Sequence, residues 1–83
     1  MQAISRQSVH LRRIDDNVNM HRFYHLEIQP DLFGGFSLMR AWGRIGRAGR
    51  LRFDAHQSED RAIDALLQLT ARKMRRGYRT QAG

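Results

Sequence analysis

The spacing of the apolar residues changes once along this chain, at Ser58. Before that point they recur at every second position. Val9 and Leu11 share one face of a run from Ser8 to Ile14, and Met20, Tyr24, Leu26 and Ile28 share one face of a run from Asn19 to Gln29. Period two marks strands with one buried face. After Ser58, the residues Ile63, Leu66, Leu67, Thr70 and Met74 recur at helical spacing and form one apolar stripe. Strands first and one long helix last predict an α+β fold: a twisted antiparallel sheet with a C-terminal helix packed on one face.

Turn chemistry divides the strands. Asp15, Asp16 and Asn17 are short polar residues that bond their own backbone and tolerate left-handed geometry, so the first two runs form a hairpin. Pro30 to Gly35 breaks the pattern and reads as a loop. Phe36 to Ile45 is a third strand, Gly46 to Gly49 a turn, and Arg50 to Ala55 a fourth strand. Ser58 suits a helix N-cap, and Glu59 and Asp60 suit the positive end of the helix dipole. Lys73, Arg75 and Arg76 suit the last turn, and Gly77 a C-terminal stop. The helix is then about 18 residues and roughly 27 Å long. Residues 1–7 read as a loose arm and Tyr78 to Gly83 as a tail.

A chain of 83 residues is expected to form one domain, 1–83, with its core over about 8–79. A domain of this size buries only about 60 % of its unfolded surface. That favours a binding surface over a deep, walled enzyme pocket. Net charge is +7, and 14 of the 15 basic residues are arginine. Arginine's planar fork of donors fits phosphate and stacks on aromatic rings. The charge is uneven: residues 1–39 balance at zero, and residues 40–83 carry the whole +7. This asymmetry points to a polyanionic partner. The absence of cysteine excludes disulfides and thiolate metal sites. No apolar run approaches the roughly 20 residues of a membrane span, and no apolar segment follows the N-terminus as in a secretory signal. A cytoplasmic protein without a membrane role is expected.

The excess charge is densest in RAWGRIGRAGR, residues 40–50, which holds four arginines, three glycines and the only tryptophan. Alternation on a strand puts Met39, Ala41, Gly43 and Ile45 on one side. Arg40, Trp42 and Arg44 lie on the other, about 7 Å from one to the next. The first set is small or apolar and can pack under the helix. The second combines charges for phosphates with a ring that packs on a base or sugar. Arg47, Arg50 and Arg52 extend it, and Gly46 and Gly49 allow backbone N–H groups to approach a phosphate. An ordinary solvated sheet face with a buried tryptophan fits the same pattern.

These residues carry a resemblance. "AWGRIGRAGR" (41–50) is similar to the signature of the WGR domain family, whose tripeptide falls on Trp42, Gly43 and Arg44. "RFYHLEI" (22–28) resembles the family's aromatic-rich strand, and "FSLMRAWGRIG" (36–46) its signature strand and turn. A helix with Ala62, Leu66 and Met74, then Gly77 and Tyr78, completes the order over about residues 9–79. One departure is Ala41, where many members carry a polar or charged residue. The resemblance implies a compact α+β domain. In poly(ADP-ribose) polymerases such a domain helps hold DNA near strand ends and touches neighbouring domains. There the tripeptide's tryptophan and arginine lie on the DNA-contact face, roles that fall here on Trp42 and Arg44. The polymerase catalytic domain is far larger than this chain, and free-standing bacterial-type members have largely undefined functions.

Other constellations carry less. His21 and His25 have the spacing of helical metal ligands, but on a strand they stand about 13 Å apart. Asp15 and Asp16 are explained by their turn. There is no P-loop, dinucleotide fingerprint or serine elbow. No catalytic residue, metal or cofactor is therefore expected. Arg72, Lys73, Arg75, Arg76 and Arg79 exceed what dipole compensation needs and suit a second phosphate contact or an acidic protein. Tyr24 and Tyr78 read as packing residues. Phe23, Phe33 and Phe36, if exposed, suit a homodimer seam.

The expected function is a small non-catalytic DNA-binding module using Arg40, Trp42, Gly43, Arg44, Arg47, Arg50 and Arg52, with ends, nicks or single strands as preferred targets. The alternative is an adaptor that docks an acidic protein around a structural Trp42. RNA in place of DNA, and monomer against weak homodimer, stay open.

Overall fold

The computed structural model describes residues 7–80. Strands β1 (Ser8–Asp15), β2 (Met20–Pro30), β3 (Phe36–Arg44) and β4 (Arg50–His56) precede helix α1 (Glu59–Arg75), and a short β5 (Arg79–Thr80) follows it. All neighbouring strands are antiparallel, in the order β4-β3-β2-β1-β5, so the architecture is α+β.

Local chemistry sets the joints. Asp15 Oδ1 accepts the Asn17 N–H at 3.1 Å, and a single 3-10 turn at Asp16–Val18 leads into β2. Ser58 Oγ accepts the Arg61 N–H at 3.2 Å and starts α1, with Glu59 and Asp60 in its first turn.

The end of the chain is more structured than its composition suggests. Gly77 has φ +99°, a left-handed value. That lets the Gly77 N–H reach the Met74 carbonyl at 3.0 Å and the Tyr78 N–H reach the Lys73 carbonyl at 3.1 Å. The two bonds turn the chain back under the helix end. Tyr78 is buried, and Arg79 and Thr80 pair with Arg12 and Leu11 of β1. The expected tail therefore begins with a fifth strand. Its last three residues, and residues 1–6 of the expected N-terminal arm, lie outside the described residues.

The core lies between the sheet and α1. Leu11, Tyr24, Leu26, Ile28 and Leu38 come from the sheet, Ala62 and Leu66 from the helix, and Tyr78 from beyond it. The helix stripe is shifted from the expected one: Ile63, Ala65 and Leu69 pack on the core, while Leu67 and Met74 are exposed. Leu67 sits one position past Leu66, about 100° around the helix, and points away from the sheet.

A larger correction concerns β3. Leu38 has no exposure and pairs with Ile28, so its face is the one beneath the helix. Period two then puts Phe36, Arg40, Trp42 and Arg44 on that face, and Met39, Ala41 and Gly43 on the other. This is the reverse of the expected packing. The face without a helix carries Phe23, His25, Met39 and Ala41, together with Leu51 and Phe53, which are more than half exposed.

Candidate nucleic-acid interface

The helix covers only part of its sheet face. Along β2, Ile28, Leu26 and Tyr24 are buried, and two residues further on Arg22 is exposed. The last cover is Lys73, whose Nζ sits 4.6 Å from the Tyr24 ring centroid and 5.7 Å from that of Tyr78. Beyond it a cavity of about 340 Å³ opens. Tyr24, Trp42 and Tyr78 contribute rings, and Arg13, Arg22 and Arg76 contribute charge.

Trp42 is half-buried and stacks on Tyr24, with centroids 5.7 Å apart and planes at 18°. Tyr78 meets Tyr24 edge-on at 6.3 Å. The Arg40 guanidinium lies 5.8 Å from the Trp42 centroid and donates to the Tyr24 hydroxyl at 3.4 Å. Arg40 Nε also stands 2.8 Å from Asp54 Oδ2, and Arg52 Nε donates to Asp54 Oδ1 at 3.0 Å. Arg40 therefore joins Trp42 of its own strand to Tyr24 of β2 and Asp54 of β4. Burial acts to lower its pKa, but the Tyr24 hydroxyl and the Asp54 carboxylate outweigh burial and hold it above the ordinary value.

The register sets three arginines in a row. Arg13 faces Arg22 across β1 and β2, and Arg22 faces Arg44 across β2 and β3. Directly opposed like charges destabilise a sheet. Among the described residues none of the three has a carboxylate partner. Lys73 feels the same excess: burial first, then Arg76, Arg40 and Arg72, push its amine below the ordinary lysine value. The site is short of negative charge.

The seven residues expected to bind are divided. Arg40, Trp42, Arg44, Arg50 and Arg52 share the helix-bearing face, with Arg50 opposite Trp42 and Arg52 opposite Arg40. Arg47 instead lines a cavity on the bare face with Phe23 and Ile45. Gly43 backs onto Gly49: a Cβ on Gly43 would lie 2.7 Å from the Gly49 Cα, and one on Gly49 would lie 2.3 Å from the Trp42 carbonyl oxygen. These glycines are accounted for by close backbone approach. Arg13 and Arg22 were missed because their half of the chain is neutral overall, while Tyr24 is the packing residue expected. The usable signal was parity, which puts Arg22 on the face of Tyr24.

The histidines have separate surroundings. His21 Nε2 lies 3.3 Å from Asp16 Oδ1, and the His25 ring packs on His10 at 4.2 Å. Burial, His10 and Arg12 together lower the His25 pKa. Among the described residues no group of three or more ligand-type side chains could hold a metal, and no helix is long and apolar enough to cross a membrane. Phe23, Phe33 and Phe36 form no single seam. Phe36 packs on the core beneath the helix, Phe23 is on the bare face, and Phe33 is in the β2–β3 loop.

Comparison with known proteins gives two matches. The sequence model of the WGR domain matches residues 7–83. The uncharacterized protein y4dW of Sinorhizobium fredii (strain NBRC 101917 / NGR234) is 39% identical over 71 residues, covering 86% of this chain. The chain spans 35% of that relative's length. No solved structure gives a significant match.

Proposed function

The chain belongs to the WGR domain family, and on that premise we propose that it is a non-catalytic module that binds DNA through the face holding Trp42. The observation that carries this reading is the row Arg13, Arg22, Arg44. Three arginines are neighbours across β1, β2 and β3 without a carboxylate partner among the described residues, and Arg13 and Arg22 line a cavity with Lys73, Arg76 and an aromatic floor. Such a row costs stability when the protein is alone. A phosphate backbone laid across it supplies the missing charge.

In this reading Arg13, Arg22, Arg44 and Arg50 contact phosphates. Arg52 is held partly by Asp54 and lies further along the same face. Arg47 is on the bare face and is left out of this contact. The exposed side of Trp42 packs against a sugar or an unstacked base, which favours ends, nicks or single strands. Arg40 positions Trp42 and Tyr24 and contacts no nucleic acid. Contacts of this kind hold the domain on DNA without reading sequence. The setting is the cytoplasm.

The test is fluorescence anisotropy with labelled blunt duplex, nicked duplex and single-stranded DNA in rising salt. The expected result is binding whose log K falls with log salt at a slope equivalent to about three or more phosphates. Trp42→Ala is expected to lose the preference among the three DNAs. Absence of binding near 0.1 M salt would sink the reading and favour an adaptor for an acidic protein. The packing of Trp42 on Tyr24 and the core also suits that role. A matched RNA strand separates the two nucleic acids.

A further inference from the structure

The end of the molecule away from the arginine row presents two large apolar side chains to water. Leu32 is 96% and Phe33 93% exposed, in the loop that joins β2 to β3. The loop is held in place. Asp31 Oδ1 accepts the Phe33 N–H at 2.7 Å and the Gly35 N–H at 2.9 Å, and the Asp31 N–H bonds the Gly35 carbonyl at 2.9 Å. Three hydrogen bonds thus fix a knob whose tip is almost fully exposed among the described residues. Three carboxylates belong to this end of the chain's fold. Asp31 is in the loop itself, and Glu59 and Asp60 open the helix that begins just after His56, which lines a cavity together with Phe33. Among the described residues none of these three carboxylates makes an ion pair.

The opposite end of the same β2–β3 hairpin carries the complement. On the bare sheet face a cavity of about 250 Å³ is walled by Phe23, His25 and Ile45, with Arg12 and Arg47 beside it. A dry cavity of about 150 Å³ already accepts a benzene-sized guest, so a phenylalanine ring fits. Knob and cavity lie at opposite ends of the hairpin, about 23 Å apart along β2 from Phe23 to Pro30. No copy can therefore fill its own cavity.

We propose that Phe33 and Leu32 of one copy seat in the Phe23–Ile45 cavity of a second copy, with Asp31, Glu59 and Asp60 facing Arg12 and Arg47, so that copies associate head to tail. The interface is heterologous, so each end stays available and the association continues along one line. The area is small and the association weak, since one aromatic ring buries about 150–250 Å². The cavity is on the face opposite Trp42. The association is thus separable from the proposed DNA contact, and it is tested with no nucleic acid present.

The experiment is sedimentation equilibrium of the full chain and three variants. The wild type is expected to rise above the mass of one copy between about 10 µM and 1 mM. Phe33→Ser removes the knob, and Arg47→Glu reverses the charge beside the cavity. Each is expected to remain at one copy throughout. Mixed in equal amounts, the two are expected to reach the mass of two copies and stop there, because Phe33→Ser keeps its cavity and Arg47→Glu keeps its knob. Leu32→Ser repeats the knob test at a second fully exposed position. A wild type that stays at one copy at 1 mM overturns the proposal. So does association that survives both knob variants, or a mixture of Phe33→Ser and Arg47→Glu that remains at one copy.

Discussion

Arg22 stands directly opposite Arg44 on β3, and Arg13 stands opposite Arg22 on β1. The row of arginines thus spans three strands, and two of its members come from the half of the chain that carries no net charge.

Replacing Arg22 should move stability and binding in opposite directions. Arg22→Gln relieves two like-charge contacts, each costing about 0.2–1 kcal/mol. The melting temperature is expected to rise by a few degrees for a domain of this size. DNA affinity is expected to fall, and the slope of log K against log salt to shrink by about 0.9. Thermal melts and salt titrations of the one variant check both. A fall in both quantities would make Arg22 a structural residue.

Gly49→Ala should fail at folding before it affects any ligand. Its Cβ would lie 2.3 Å from the Trp42 carbonyl oxygen, at a φ of +74°. Left-handed strain of about 1–3 kcal/mol adds to the clash. Melting followed by circular dichroism is expected to show a loss of more than about 10 °C, or no transition. A variant that melts like wild type and binds DNA more weakly would instead mark Gly49 as a phosphate contact.

Trp42 has a packing role and a proposed contact role, and two substitutions separate them. Trp42→Ala removes the stack on Tyr24 and is expected to cost about 2 kcal/mol, less than the 3–5 kcal/mol of a fully buried aromatic. Trp42→Phe keeps a ring over Tyr24 and is expected to recover most of that stability. As the only tryptophan, Trp42 reports its own surroundings. In the wild type its fluorescence is expected to change on addition of single-stranded DNA. Binding with unchanged emission would place the contact elsewhere.

His25 makes the fold sensitive to mild acid. Burial, His10 and Arg12 lower its folded pKa below the ordinary 6.5. The unfolded chain therefore takes up the proton first as pH falls. Its contribution is fully present above pH 6.5 and is lost as pH drops from there through the folded value. Wild type is expected to melt lower at pH 5 than at pH 7. His25→Gln is expected to show a smaller difference. An equal difference in both proteins would remove His25 from the account.

Much of the fold was legible in the residues. Asp15 to Asn17, Ser58 and Gly77 carry their joints in their own chemistry, and four strands and one helix follow from periods of two and 3.6. The candidate site was legible only in part. Alternation along β3 separates Arg40, Trp42 and Arg44 from Met39, Ala41 and Gly43 but does not say which set lies beneath the helix. The small residues invited the wrong choice. Leu38, on the same parity as Trp42, is the residue that α1 covers.

The order and type of the elements, the turns, the signature at Trp42 to Arg44 and the positive charge are all local properties, so the amino-acid order was enough to establish them. Three things needed the folded chain. The pairing of Ile28 with Leu38 put Trp42 under the end of the helix. The turn at Gly77 brought Tyr78 back to Tyr24 and added β5 to the sheet edge. The register of β1, β2 and β3 aligned Arg13, Arg22 and Arg44, and Arg13 and Arg22 line one cavity with Lys73 and Arg76. Each joins residues far apart in the chain. A shift of one residue in any pairing would send every side chain of that strand to the other face, and only the packed core selects between the two.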